Sequence, residues 1–375
     1  MKPSLLFIVN VDWFFLSHRL PVALAARDAG FDVHVATTLT GPASTLENHG
    51  FTVHPLTIDR RSTGLLNTWT LWRDLVRLLR RVRPDITHLV TIKPVLIGGL
   101  AARWVGVPRV VAAISGLGFV FTARGLRARL RCALVSALYR IALARRGVRV
   151  IFQNGDDQAL LQRHAGIADA QVVRIRGSGV DVSAWPVYPL PDGPPVVLMA
   201  ARLLVDKGVH EFVDAARRLR GRAGARFVLA GDVDPGNPTS VEEGELTQWV
   251  HENLVEWWGH RNDMPSTLGN AHVVVLPSYR EGLPKVLIEA AASARAVVTT
   301  DVPGCRDAVD AGKTALLVPA RDGAALAAAI EQLLGDRARC ESMGQAGRRL
   351  AEEAFDISRV IEQHLTIYRD TSGTP

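Results

Sequence analysis

A chain of 375 residues is too long for one ordinary domain and long enough for two, and a hydrophobic share of 48% supplies a core for each. Its cysteines, Cys132, Cys305 and Cys340, lie too far apart for a disulfide framework or a zinc cluster, which points to a reducing compartment. The net charge of +7 is unevenly spread: residues 1–185 hold 24 Lys and Arg against 11 Asp and Glu, whereas residues 186–375 hold 20 against 26.

A basic half joined to an acidic half suits one side to an anionic surface. The basic stretches lack interleaved aromatics and carry no nucleic-acid-binding motif, so nucleic acid is not an expected partner and an anionic membrane surface is. The first ten residues hold one lysine and an apolar run that Asp12 ends too soon for a cleavable signal. The longest apolar run, residues 110–123, has 14 residues and two glycines. It falls short of the roughly 18 that span a bilayer. The expected location is therefore cytoplasmic, with peripheral association at the inner face of the plasma membrane.

In chain order, residues 5–10 read as a strand and 20–29 as a helix closed by Gly30. Strands follow at 32–36 and 51–56, then an amphipathic helix at 66–82 with arginines on its outer face. Further strands at 86–90, 109–114 and 148–152 are separated by helical stretches, the pattern of a parallel sheet covered on both faces. Residues 177–195 collect Gly177, Gly179, Pro186, Pro189, Pro191, Gly193, Pro194 and Pro195, and read as an interdomain linker. A second alternation has strands at 196–200, 226–230, 254–258, 273–276, 297–299 and 315–318, with a helix from about Val209. From Ala324 the tail is helical in three pieces, ending near Tyr368. The expected fold class is α/β, with two doubly wound, Rossmann-like domains facing a cleft and ligands outside the carboxyl ends of the strands.

The most specific pattern is Arg280-Glu281-Gly282-Leu283-Pro284 after Leu276-Pro277-Ser278, with Glu289 beyond. Pro284 suits the first position of a helix. The backbone donors of residues 282–285 at the positive end of that helix suit a diphosphate, flanked by Glu281 and Glu289 for sugar hydroxyls. Arg202 and Lys207, after the first strand of the second half, have the spacing of a diphosphate clamp. On residue type alone, both patterns also fit ordinary charged residues at helix starts. His18 and Arg19 open a helix and suit an acceptor phosphate, with a helix-cap pair as the plain alternative, and Lys93 suits a donor or an acceptor phosphate. Asp232 and Asp234 resemble a metal-binding pair but read as loop residues. Arg124, Arg127, Arg129, Arg131, Arg140, Arg145, Arg146 and Arg149 interleave with leucines, which fits either a helix lying on anionic lipid or a solvated basic face.

Arg202 with Lys207, then Glu281-Gly282-Leu283-Pro284 with Glu289, resembles the signature of the family 4 retaining glycosyltransferases, which have the GT-B fold. Residues 10–21, Thr91-Ile92-Lys93-Pro94 and Ser115-Gly116-Leu117-Gly118 are similar to the first loops of a bacterial subgroup that builds surface polysaccharides such as O-antigen on polyprenyl-diphosphate-linked sugars. The resemblance implies domains at residues 1–180 and 181–354, with 355–375 packing back on the first. It implies a hexose or N-acetylhexosamine moved from a nucleotide sugar, expected to be uridine-linked, to a lipid-linked sugar, with retention and without a metal or other cofactor. By the same resemblance Arg202 and Lys207 hold the donor phosphates and Glu281 contacts the donor sugar. Gly282, Leu283 and Pro284 line the donor, Glu289 holds the ribose, and His18, Arg19, Lys93, Gly116 and Gly118 face the acceptor. Three features depart from the family: residues 12–18 are bulky where a glycine pair is common, Lys93 stands in a loop that often carries histidine, and the usual glycine-rich turn reads Gly312-Lys313-Thr314-Ala315. A nicotinamide oxidoreductase is disfavoured because residues 10–18 contain no glycine. A non-catalytic sugar- or lipid-binding relative and a same-fold epimerase are the remaining alternatives.

Overall fold

The computed structural model describes residues 2–58, 64–117, 125–222 and 224–370. The chain forms two compact units, one of residues 1–178 with 359–375 and the other of residues 179–358.

In the first unit the strands are β1 (Ser4–Val11), β2 (Asp32–Thr38), β3 (Thr52–Pro55), β4 (Ile86–Val90), β5 (Arg109–Ile114), β6 (Val148–Phe152) and β7 (Val172–Arg174). They make one parallel sheet in the order β3-β2-β1-β4-β5-β6-β7. In the second they are β8 (Val196–Ala200), β9 (Arg226–Ala230), β10 (Glu256–Gly259), β11 (Val273–Leu276), β12 (Ala296–Thr300) and β13 (Ala315–Val318), in the parallel order β10-β9-β8-β11-β12-β13. Strands β4, β8, β11 and β12 are buried along their whole length. In β8 and β11 this reads as an unbroken apolar run, as parallel strands covered on both faces should, while β4 and β12 also bury Thr87, His88, Thr299 and Thr300.

The last helix, Ile357–Arg369, belongs to the first unit from Arg359 on. It buries Val360, His364, Ile367 and Tyr368. The Tyr368 hydroxyl lies 2.6 Å from Nδ1 of His88 in β4, Arg109 donates to the carbonyl of Ile367 at 2.7 Å, and Arg149 pairs with Asp370 at 2.8 Å.

The segment read as a linker is mostly fixed to the second unit. The Trp185 indole donates to Ser293 at 2.6 Å, and Arg348 donates to the carbonyls of Val182 and Trp185. The fully buried Arg295 donates to the carbonyls of Tyr188 and Pro189 at 2.9 and 3.1 Å. An irregular segment leaves its carbonyls unpaired, and guanidinium forks satisfy several at once. Val180 also exchanges two hydrogen bonds with residues 355 and 357, at 2.9 and 3.0 Å, so the two chain crossings at 178/179 and 358/359 run beside a shared bridge.

Candidate functional site

In the second unit the strand order reverses between β8 and β11, the kind of switch point outside which ligands bind in such sheets. The loops after β8, β11 and β12 meet there. Tyr279 N donates to Asp206 O at 2.9 Å and Glu281 N to Pro303 O at 3.1 Å. Thr300 donates its hydroxyl to Ser278 O. Glycine makes this closeness possible. Gly208 has φ +79° and a Cβ there would stand 2.2 Å from Pro277 O; at Gly304, φ +83°, it would stand 2.5 Å from Glu281 O.

These loops bring Lys207 and Glu281 into an ion pair, although 74 residues separate them. Ser278 donates to the same Glu281 Oε1 at 2.7 Å, which fixes the carboxylate from a second side. Leu283 is buried in the unit's core, so it anchors the loop and leaves only its backbone to a ligand. Pro284 is not the first helical residue: its ψ of 124° makes it the extended cap before the helix Lys285–Ala292. Gly282 precedes it in the same loop. One turn into the helix, Glu289 is 5% exposed and pairs with Lys285 at 3.1 Å. Burial pushes the Glu289 carboxyl above the usual carboxylate range, and Lys285 offsets part of that. Arg202 is paired with Asp234 at 2.8 Å. Each cation expected to meet a diphosphate therefore rests against a carboxylate.

Sequence reasoning missed the neighbours Tyr279 and Arg321. The Tyr279 hydroxyl donates to Glu211 at 2.8 Å, and the Arg321 guanidinium lies 4.2 Å over its ring. Nothing local in sequence marks Arg321, which follows β13. Under the site Cys305 is buried, which, with Glu281 nearby, pushes its thiol up to about 12 and leaves it inert.

In the first unit the strand order reverses between β1 and β4. At the end of β1 the buried Asp12 accepts from Thr40 N and Oγ1, both at 2.6 Å, and from Gly41 N at 3.2 Å. Burial raises its pKa, but those hydrogen bonds, with one from Trp13, outweigh it and hold the carboxyl below its ordinary value. His18 stacks on Phe14 with centroids 4.1 Å apart. Arg19 is not at the surface: it is 2% exposed, donates to His18 O at 2.8 Å and sits near Tyr368 of the last helix, and burial draws its pKa down to about 10. After β4, Thr91 holds φ +76°, a strained value for a β-branched residue, and the half-buried Lys93 follows. Gly116 follows β5 at φ +107°. Gly118 lies outside the described residues, as does Arg124. His18, Lys93 and Gly116 thus lie at the carboxyl end of the first sheet, and Arg19 turns into its core.

The expected lipid-facing arginines divide in the same way. In the helix Leu126–Leu143, Tyr139, Ala142 and Leu143 are buried, and Arg129, Arg131 and Arg140 are exposed. Beyond it, Arg145 donates to Val107 O at 3.1 Å and is not free to meet lipid. No helix among the described residues is long and apolar enough to cross a membrane.

The sequence model of the Glycosyl transferases group 1 family matches residues 194–336, and that of the Glycosyl transferase 4-like family matches residues 4–154. The chain is 27% identical over 380 residues to the N,N'-diacetylbacillosaminyl-diphospho-undecaprenol alpha-1,3-N-acetylgalactosaminyltransferase of Campylobacter jejuni, covering 94% of this chain and 97% of that one. It is 31% identical over 177 residues to the capsular polysaccharide biosynthesis glycosyltransferase CapM of Staphylococcus aureus, 46% of this chain and 45% of that one. Among solved structures, the fold matches sucrose-phosphate synthase from Thermosynechococcus elongatus with a TM-score of 0.79 at 21% identity, over 98% of both chains. It matches Anabaena HepE, solved with UDP and glucose, with a TM-score of 0.77 at 19% identity, over 98% of this chain and 99% of that one.

Proposed function

Because the chain belongs to the glycosyltransferases of the GT-B fold, we propose that it moves a hexose or N-acetylhexosamine from a uridine-linked nucleotide sugar to a polyprenyl-diphosphate-linked sugar. The product would extend a cell-surface polysaccharide. The observation that carries the donor half is the convergence of Lys207, Glu281, Lys285 and Glu289 at the β8/β11 switch point.

Arg202 and Lys207 bind the diphosphate there, helped by the backbone N–H groups of Gly282, Leu283 and Lys285. As the bond from sugar to phosphate breaks, negative charge grows on the leaving diphosphate, and these cations stabilise it without reorganisation. They supply the charge a divalent metal would bring, so turnover is metal-independent. Glu281, held by Lys207 and Ser278, is released to the donor sugar when the diphosphate takes Lys207. Glu289 accepts from the ribose hydroxyls. The acceptor half is supported by the Campylobacter relative, whose name gives an undecaprenyl-diphosphate-linked acceptor. In this reading His18, Lys93 and the Gly116–Gly118 loop meet that acceptor, the anomeric configuration is retained, and the first unit rests on the inner leaflet.

Thermal melting against a panel of nucleotide sugars tests the donor half. A true donor at about 100 times its Kd stabilises the protein by about 2.7 kcal/mol. Uridine-linked sugars should raise the Tm of the wild type, and raise that of Lys207→Ala much less. A panel that leaves the wild type unmoved would remove the reading. Turnover that collapses with EDTA and returns with magnesium would remove the metal-independent form of it.

A further inference from the structure

The loop after β9 straps over the segment that carries Arg202 and Lys207. Leu203 N donates to Asp232 O at 2.9 Å, Val205 N to Thr239 O at 2.7 Å, and Val241 N to Leu203 O at 2.9 Å. Leu204 and Ser240 form an antiparallel bridge. At the start of the strap Gly231 has φ +137°, and a Cβ there would stand 2.0 Å from Ala201 O, so the two backbones are pressed together. Within the strap Asp234 N donates to Ser240 Oγ at 2.9 Å. The fixed turn then presents Asp234 Oδ2 to Arg202 Nη1 at 2.8 Å, with the carboxylate side chain 16% and the guanidinium 43% exposed.

The asymmetry of that pair is informative. A long, half-exposed arginine has many rotamers to lose, and holding it in one geometry costs side-chain entropy. Here the anchoring partner is the less exposed residue, on backbone bonded at three places to Arg202's own segment. A planar fork held through one nitrogen still has its other N–H groups for a second anion. We propose that Asp234 is a positioning residue: it holds Arg202 in the orientation in which the guanidinium meets the donor diphosphate. This rests on the donor-site reading above. It also gives a use to the aspartates that in sequence resembled a metal pair: Asp232 lends its carbonyl to the strap, and Asp234 its carboxylate to Arg202.

Asp234→Glu is the informative change, because it keeps the charge, and so the repulsion of a diphosphate, while displacing the guanidinium by about one methylene. Binding of uridine diphosphate, the nucleotide held by one of the similar structures, is measured calorimetrically for the wild type, Asp234→Glu, Arg202→Ala and the double variant. Affinity should fall roughly three- to tenfold in Asp234→Glu, the scale of one misaligned charge-assisted hydrogen bond. In the Arg202→Ala background the same change should have no effect. Wild-type affinity in Asp234→Glu, or an equal loss in both backgrounds, overturns the positioning role while the donor site stands. Undiminished binding by Arg202→Ala overturns the clamp itself and the positioning role with it, and a wild type that ignores uridine diphosphate overturns the uridine donor reading and both with it. If Asp234→Glu does not fold, Asp234→Asn is used with the same criterion, dependence of the effect on Arg202.

Discussion

At the scale of single residues, the candidate donor site separates chemistry from clearance. Arg202→Ala and Lys207→Ala each delete one cation while leaving the loop backbones in place. Turnover should drop by about 10²-fold, the usual loss for one electrostatic contact to the reacting group, with Tm little changed. Near-normal turnover in either variant would take that residue out of the clamp. Gly208 tests clearance, and Gly312 is its control. Both hold a left-handed backbone, φ +79° and +77°, but a Cβ at Gly208 would lie 2.2 Å from the Pro277 carbonyl, whereas one at Gly312 meets nothing within 4 Å. Gly312→Ala should cost only the left-handed penalty of about 1–2 kcal/mol. Gly208→Ala should cost clearly more, because the β11 loop has to move. Equal melting temperatures for the two variants would mean that the loops after β8 and β11 are not pressed together. The loops of Lys207 and Glu281 stood out in the sequence as two separate patterns, each with its own glycine or proline punctuation, but their pairing did not. The Arg202–Asp234 pair was not legible either, because its 32-residue separation spans a helix and a strand, and only the strap's backbone bonds bring it together. The burial of Arg19 was equally hidden, since it depends on Tyr368 at the far end of the chain.

At the scale of elements, the strands that sequence reasoning placed to the residue, β4, β5, β6, β8, β9, β11 and β13, are mostly the buried interior of the two sheets. The strand it missed, β7, is a three-residue edge strand with no fully buried position, too short to carry a periodic pattern. The last helix shows what an element can do that its pattern does not reveal. It brings His364 and Tyr368 against His88 of β4 and Arg19, with the His88 and His364 rings stacked 5.6 Å apart. Burial holds His364 down to about 3, with Arg19 adding to it, and holds His88 well below its ordinary value, with His364 and Arg19 adding to it. The unfolded chain protonates both near pH 6.5 and the folded chain does not. These histidines therefore cost nothing above pH 6.5. Below it the unfolded state binds more protons, and stability falls as pH falls, by up to about 2.7 kcal/mol per pH unit for the two. Denaturant titrations at pH 7.5, 6.5 and 5.5 should show that decline, and His364→Phe should lower the slope by up to about 1.4 kcal/mol per pH unit. A flat profile would mean that both rings are already charged in the folded state.

At the scale of the whole molecule, the excess of positive charge in the first half is joined by an apolar surface that composition could not reveal. The helices Leu65–Val82, Gly99–Val105 and Leu126–Leu143 pack side by side in the first unit. Their outward residues include Leu66, Trp69, Trp104, Leu130 and Leu134, each more than half exposed. Trp72 and Trp104 meet edge to face at 5.8 Å, and Arg73 lies 5.3 Å from the Trp69 ring. Tryptophan and arginine together, on a face with no apolar cover among the described residues, suit the headgroup level of a bilayer, where an indole is half in hydrocarbon and half in water. A solvated basic face, the plain alternative for this stretch, gives no reason for exposed Trp and Leu, so vesicle binding by the apolar residues is what separates the two. Each Lys or Arg near an anionic leaflet adds about 1 kcal/mol, and that part fades within a Debye length of about 10 Å at 0.1 M salt. The apolar part does not fade with salt. Co-sedimentation with phosphatidylglycerol-rich vesicles should therefore weaken with salt but keep a residue of binding. Arg129→Glu with Arg131→Glu should remove the salt-sensitive part, and Trp69→Ser with Trp104→Ser and Leu134→Ser the salt-resistant part, with uridine diphosphate binding unchanged in both. Arg145→Glu belongs in neither set, because Arg145 is engaged with Val107 and its loss would read as a folding defect. If the tryptophan variant sediments like the wild type at every salt concentration, this face does not meet the bilayer and the charge asymmetry needs another partner.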